Sequence, residues 1–207
     1  MNVSQKVILL KSVAHIATLL PLLILYYHAF TDQLGADPVE AVINFTGIGA
    51  FNLLLITLAV SPIAKTLKQG YLLQVRRLLG LYAFTYAALH IINFMAFDLQ
   101  FAWSLFFSEI FKRPYISIGA IAFMFLTALA LTSPHIVRRK MGKSWQTLHN
   151  VNYLIVMLVG VHFYWSVKSE LITPIIYLAL ASILLLCRFK KLKSFYSSLF
   201  CKKNYKD

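Results

Sequence analysis

The sequence predicts an all-α membrane protein, a bundle of about six transmembrane helices with both termini cytoplasmic, on three observations. First, 59% of the 207 residues are hydrophobic and only 13% are charged, whereas a water-soluble domain carries about a quarter of its residues as charged groups. Second, the apolar residues fall in blocks long enough to cross a hydrocarbon core about 30 Å thick. Third, the basic residues behind the net charge of +13 lie between those blocks, and the linkers differ in sign as they do across a membrane.

The first span is expected near residues 7–27. It runs past signal-peptide length without a small-residue cleavage site, so no cleavable leader is expected. Its linker holds Asp32, Asp37 and Glu40 and no Lys or Arg. The second span is expected near 43–63, with Ser61-Pro62 marking its exit and Lys65, Lys68, Arg76 and Arg77 beyond. The third, near 78–97, leads to a mixed linker with Asp98, Glu109, Lys112 and Arg113. The fourth, near 115–132, exits at Ser133-Pro134 into Arg138, Arg139, Lys140 and Lys143. The fifth and sixth, near 151–167 and 171–187, are joined by a short linker, and the tail from Arg188 onward is again basic. Positive-inside bias then places both termini and the even linkers in the cytoplasm of a bacterial inner membrane. Residues 1–207 read as a single domain whose solvent is membrane lipid. No linker is long enough for a fused soluble catalytic domain.

Nucleic-acid binders gather basic residues on one solvated patch or helix face, and that pattern is absent, so no nucleic-acid partner is expected. Cys187 and Cys201 make neither a disulfide framework nor a C-x-x-C-H attachment site, so any haem would be held non-covalently. No internal repeat suggests a transporter with inverted halves.

An ionisable side chain inside a span is costly unless it is paired, coordinated or facing a cavity. His135 and His28 read as a linker residue and an interfacial residue, and His15 either as a lone histidine that hydrogen-bonds between helices or as a ligand. His90 and His162 differ, because each lies about twelve residues, or roughly 18 Å, into an outward-running span. Two imidazoles at equal depth on neighbouring helices can supply both axial ligands of a haem iron. The alternatives are two unrelated hydrogen-bonding histidines, or a proton pathway in a small transporter or channel. His149 lies thirteen residues before His162, about 20 Å along the axis, but about 220° around an ideal helix. The two share a face only if the helix is distorted or His149 sits in a bent end. Arg76 falls nearly below His90 on the third span, and a guanidinium there suits propionate, phosphate or another anion better than iron. Tyr82, Phe84, Tyr86, Tyr153, Phe163, Tyr164 and Trp165 read as packing or interfacial aromatics.

The stretch Gly35-Ala36-Asp37-Pro38 followed by Phe45-Thr46-Gly47, the run Arg76-Arg77-Leu78-Leu79-Gly80-Leu81 leading to Leu89-His90, then Arg113-Pro114-Tyr115, and Gly142-Lys143 with Trp145-Gln146, Leu148-His149 and Tyr153 together resemble the MsrQ family. These are haem-binding membrane subunits of bacterial methionine sulfoxide reductase systems, related to the ferric reductase-like transmembrane domain. The resemblance implies b-type haem, one or two per chain, with His90 and His162 as ligands and His149 serving a second, inner haem. It implies FMN as a further cofactor and quinol or a flavin as electron donor. It also implies a periplasmic molybdopterin reductase, MsrP, as the partner that receives the electrons. Oxidases of the wider superfamily carry two histidines on each helix. Here Arg76 stands where one of them would be, which bears on whether the inner haem site is filled.

Overall fold

The computed structural model describes residues 2–167 and 170–188. Among these described residues the regular structure is helical and there is no strand. Helix α1 (Val3–Phe30) starts from a capping box between Asn2 and Gln5. Helix α2 (Pro38–Thr66) starts with Pro38 at its first turn and Asp37 capping the Glu40 amide at 2.9 Å. A 3-10 turn (Gly70–Val75) leads into α3 (Arg76–Asn93), which ends in a π turn at Phe94–Asp98. After α4 (Trp103–Lys112) and α5 (Pro114–Leu131) come two short helices, α6 (His135–Met141) and α7 (Lys143–His149). Helices α8 (Asn152–Ser166) and α9 (Ile172–Leu186) follow as the remaining helices among the described residues.

Among the described residues, four segments can cross a membrane by length and composition: Val3–Phe30, Pro38–Thr66, Gly70–Asp98 and Pro114–Leu131. The fifth and sixth expected spans correspond to α8 and α9, at 15 residues each, shorter than the roughly 20 of a straight crossing. Helix α2 does not stop at Pro62 as expected but continues to Thr66. Pro62 has no N–H for the Leu58 carbonyl four residues earlier, and Arg188 supplies the missing donor, Nη2 lying 2.8 Å from Leu58 O. The linker expected to be mixed in charge contains α4, an amphipathic helix that exposes Trp103, Phe107 and Phe111 on one side.

The core lies around α2, where Phe51, Leu54 and Leu58 meet Ala83 of α3 and Ile155 and Val156 of α8. Helix α1 sits outside this core and is joined to α3 by polar contacts. His15 Nδ1 is 2.5 Å from Tyr82 Oη, Tyr86 donates to Thr18 O at 2.6 Å, and Tyr26 donates to Asn93 at 3.0 Å. The nearly constant sequence offset of these pairs makes α1 and α3 parallel. His15 thus makes the interhelical contact that is one of its two expected roles. The rest of α1 exposes Ile8, Ile16, Leu20 and Leu23, an apolar surface suited to lipid.

Contacts at one end of the bundle gather the basic clusters. Lys6 lies over the Tyr71 ring, Arg77 donates to Ser133, and Arg188 donates to Tyr153. His90 and His162 lie toward the opposite end, near Ile43 and Tyr115 at the starts of α2 and α5.

Candidate functional site

His90 and His162 face each other, with ring centroids 6.3 Å apart and planes at 83°. The Nδ1 of His90 is 2.9 Å from Ile43 O, and that of His162 is 2.7 Å from Tyr115 O. A carbonyl can only accept, so each Nδ1 carries the proton and each Nε2 keeps its lone pair. That is the tautomer of a metal-ligating imidazole whose other nitrogen is fixed by the protein. Two metal–imidazole bonds of about 2.0 Å, with about 1.1 Å from each nitrogen to its ring centre, total about 6 Å. The observed separation is therefore compatible with one metal ion between the rings.

Glycines make the room. A Cβ on Gly47 of α2 would come within 3.0 Å of the His90 ring, and one on Gly119 of α5 within 2.8 Å of the His162 ring. The two arrangements are copies of each other. In each, the histidine contacts a carbonyl 47 residues earlier, and the glycine lies one helical turn beyond that carbonyl on the same helix. Among the described residues no group of three or more His, Cys, Asp or Glu gathers as a metal cluster.

The other end holds a cavity of about 400 Å³ lined by Arg76, Arg77, Arg138, Arg188, His135, His149, Trp145 and Tyr153, with no carboxylate among the described residues of its wall. The Nε groups of Arg76 and Arg188 are buried without a hydrogen-bond partner among the described residues. Such donors are costly to leave unmade, and an anion would satisfy them. His149 ends α7 and is separated from α8 by a break at Asn150 and Val151. This is a bent end of the kind that sharing a face with His162 requires. The His149 ring stacks on Trp145 at 3.9 Å, and Arg138 lies 4.7 Å over the same indole. Burial, and then the Arg138 charge, lower the His149 pKa to about 4, so the ring is neutral at pH 7. Its Nε2 is 3.2 Å from Thr132 Oγ1, whose own proton goes to Ala128 O at 2.7 Å.

The structure thus brings His90 and His162 together at one level, and Arg76 and His149 together around the cavity at the other. Sequence reasoning missed Gly47 and Gly119 as ring cradles, the Ile43 and Tyr115 carbonyls, and Arg188. Equal separations between each histidine and the start of a preceding helix could have been counted; the reach of Arg188 had no comparable signal.

Residues 45–160 match the ferric reductase like transmembrane component family. The heme-binding subunit MsrQ of a protein-methionine-sulfoxide reductase from Salmonella arizonae is 44% identical over 191 residues, 92% of this chain and 96% of that protein. Those of Salmonella paratyphi B and Salmonella heidelberg are each 43% identical over 194 residues, 93% of this chain and 98% of theirs. The chain belongs to the MsrQ family. No solved structure matches it. The ferric reductase-like segment of this MsrQ-family chain contains Gly47, His90, Gly119 and His149 and ends two residues before His162. The MsrQ relatives are matched over nearly their whole length.

Proposed function

We propose that this chain is the haem-containing electron-transfer subunit of a protein-methionine-sulfoxide reductase. It passes electrons outward to the periplasmic molybdopterin enzyme MsrP, which repairs oxidised periplasmic proteins. The single observation that carries this reading is the facing pair His90 and His162, each with Nδ1–H tied to a carbonyl and Nε2 left to coordinate. Haem b held there supplies reversible one-electron chemistry. The Ile43 and Tyr115 carbonyls fix both ring orientations and raise imidazole basicity. Gly47 and Gly119 leave the rings space.

The basic cavity at the other end is the site of electron uptake. Arg76, with Arg77, Arg138 and Arg188, holds an anionic group, either the phosphate of FMN or the propionates of a second haem. His149 and Trp145 offer a flat wall to a planar ring. Electrons reach the bundle from quinol or a reduced flavin, the flavin at this end. The positive-inside rule makes it cytoplasmic, in a bacterial inner membrane. A reporter active only in the cytoplasm, fused after Asp207, which lies outside the described residues, then gives signal; periplasmic signal overturns the direction of transfer.

The test of the function is the spectrum of the purified protein with a pyridine haemochrome assay. Bis-histidine haem gives an intense Soret band and sharp α and β bands on reduction. A colourless protein supports the rival reading, a small proton-coupled transporter or channel with histidine relays.

A further inference from the structure

A second cavity, of about 300 Å³, opens between α1 and α2 and includes Ala17, Thr18, Phe45, Gly49, Asn52 and Tyr86 in its wall. Two polar groups there lack the partners their surroundings call for. Asn52 is the middle residue of the 29-residue α2. Its side chain is exposed on the cavity side and makes no hydrogen bond to another described residue. An amide at the centre of a spanning helix is a strong donor and acceptor in a medium that offers neither. Across the cavity, Pro21 interrupts α1 and has no N–H to give the Ala17 carbonyl. Thr18 does not fill that gap, since its hydroxyl donates to Ala14 O at 2.7 Å. The Tyr86 hydroxyl is also committed, to Thr18 O.

The cavity therefore offers an amide on one wall and a free carbonyl on the other, between apolar side chains and facing lipid. A ligand that fits must arrive through the membrane and carry oxygens that accept from Asn52 and donate to Ala17. A phospholipid headgroup belongs at the membrane surface, not at the mid-length of α2. We propose that this groove binds the headgroup of a lipid-soluble quinone, as quinol when it donates to Ala17 O. The proposal rests on the electron-transfer reading and gives one of its donors a place. The groove is also close to the histidine pair. Tyr86, in its wall, precedes His90 by one turn of α3, about 6 Å along the axis, and Gly49 lies two residues from the Gly47 that faces His90.

The test uses the full chain in lipid nanodiscs titrated with a short-tailed ubiquinol under anaerobic conditions, with haem content and reduced spectrum recorded on the same samples. Asn52→Leu removes the amide. Pro21→Ala returns an N–H to Ala17 O without touching the cavity wall. Each is expected to weaken quinol binding about tenfold, the scale of one lost hydrogen bond, while Asn52→Gln stays within a few-fold of wild type. Equal affinity in all four proteins, or no binding by wild type, overturns the groove and leaves the haem reading standing. Loss of a dimer in Asn52→Leu with unchanged quinol affinity also overturns it, because the amide then serves a second copy of the chain. Wild type without haem sinks the electron-transfer reading by itself, whatever the titration gives.

Discussion

The two ends of the bundle solve opposite problems with the same helices. At the His90 and His162 level, α2 with α3 and α5 with α8 repeat one arrangement, and every ring N–H has its acceptor. At the basic end the repetition is gone. Helix α3 contributes Arg76, the α7–α8 break contributes His149, and two arginine Nε groups lack hydrogen-bond partners among the described residues. A closed symmetric pair suits a resident cofactor. An open asymmetric cavity with unspent positive charge suits an anionic group that exchanges electrons with a donor.

The sharpest way to break this contrast is to remove one histidine of the pair. His90→Ala and His162→Ala are each expected to abolish the same low-spin haem, since six-coordination needs both ligands. An unchanged haemochrome yield in either variant dissolves the pair.

Gly119→Ala comes next, because its new Cβ would sit 2.8 Å from the His162 ring. Overpacking of this kind costs about 1–3 kcal/mol, and the expected result is partial haem loss and an earlier thermal loss of the Soret band. Gly47→Ala is expected to do the same more weakly, its contact being 3.0 Å. Equal haem retention in both alanine variants would mean that the glycines are not cradles.

At the other end, Arg76→Ala and His149→Ala are expected to leave the His90 and His162 spectrum in place. They slow its reduction by reduced flavin roughly three- to tenfold, the scale of one hydrogen bond. Stopped-flow reduction measures this, and wild-type rates with wild-type cofactor content would remove the basic end from the electron path.

The smallest effect on the haem itself is expected at Arg188. Its replacement by Met leaves the Leu58 carbonyl and the Tyr153 hydroxyl without their donor, a cost of about 1–3 kcal/mol. Pro62→Ala restores an N–H to that carbonyl, so the double variant should recover part of the loss. Additive losses in thermal unfolding would show that the two sites are not coupled.

The bundle was legible because lipid imposes its own pattern, in which long apolar blocks and basic linkers are hard to mistake. The depth of His90 and His162 was legible for the same reason, since equal distances into outward-running segments can be counted. Arg76 and His149 were legible as one level of the bundle but not as walls of a cavity, because the break after α7 depends on tertiary packing. Pro62 misled in an instructive way. A proline ends a helix when its freed carbonyl has no other donor, and here the donor is 130 residues away in sequence. The amphipathic α4 was hidden by its mixed charges, Glu109 pairing with Arg113 one turn further on.

That distant donor also sets an order of assembly. Everything the histidine pair needs has been synthesised by the end of α8. The wall that Arg188 contributes exists only when α9 is complete and folded back against α2. A nascent chain can therefore complete its histidine pair while its basic cavity still stands open on one side. Among the described residues, the final helix closes the basic cavity only after the histidine pair is complete.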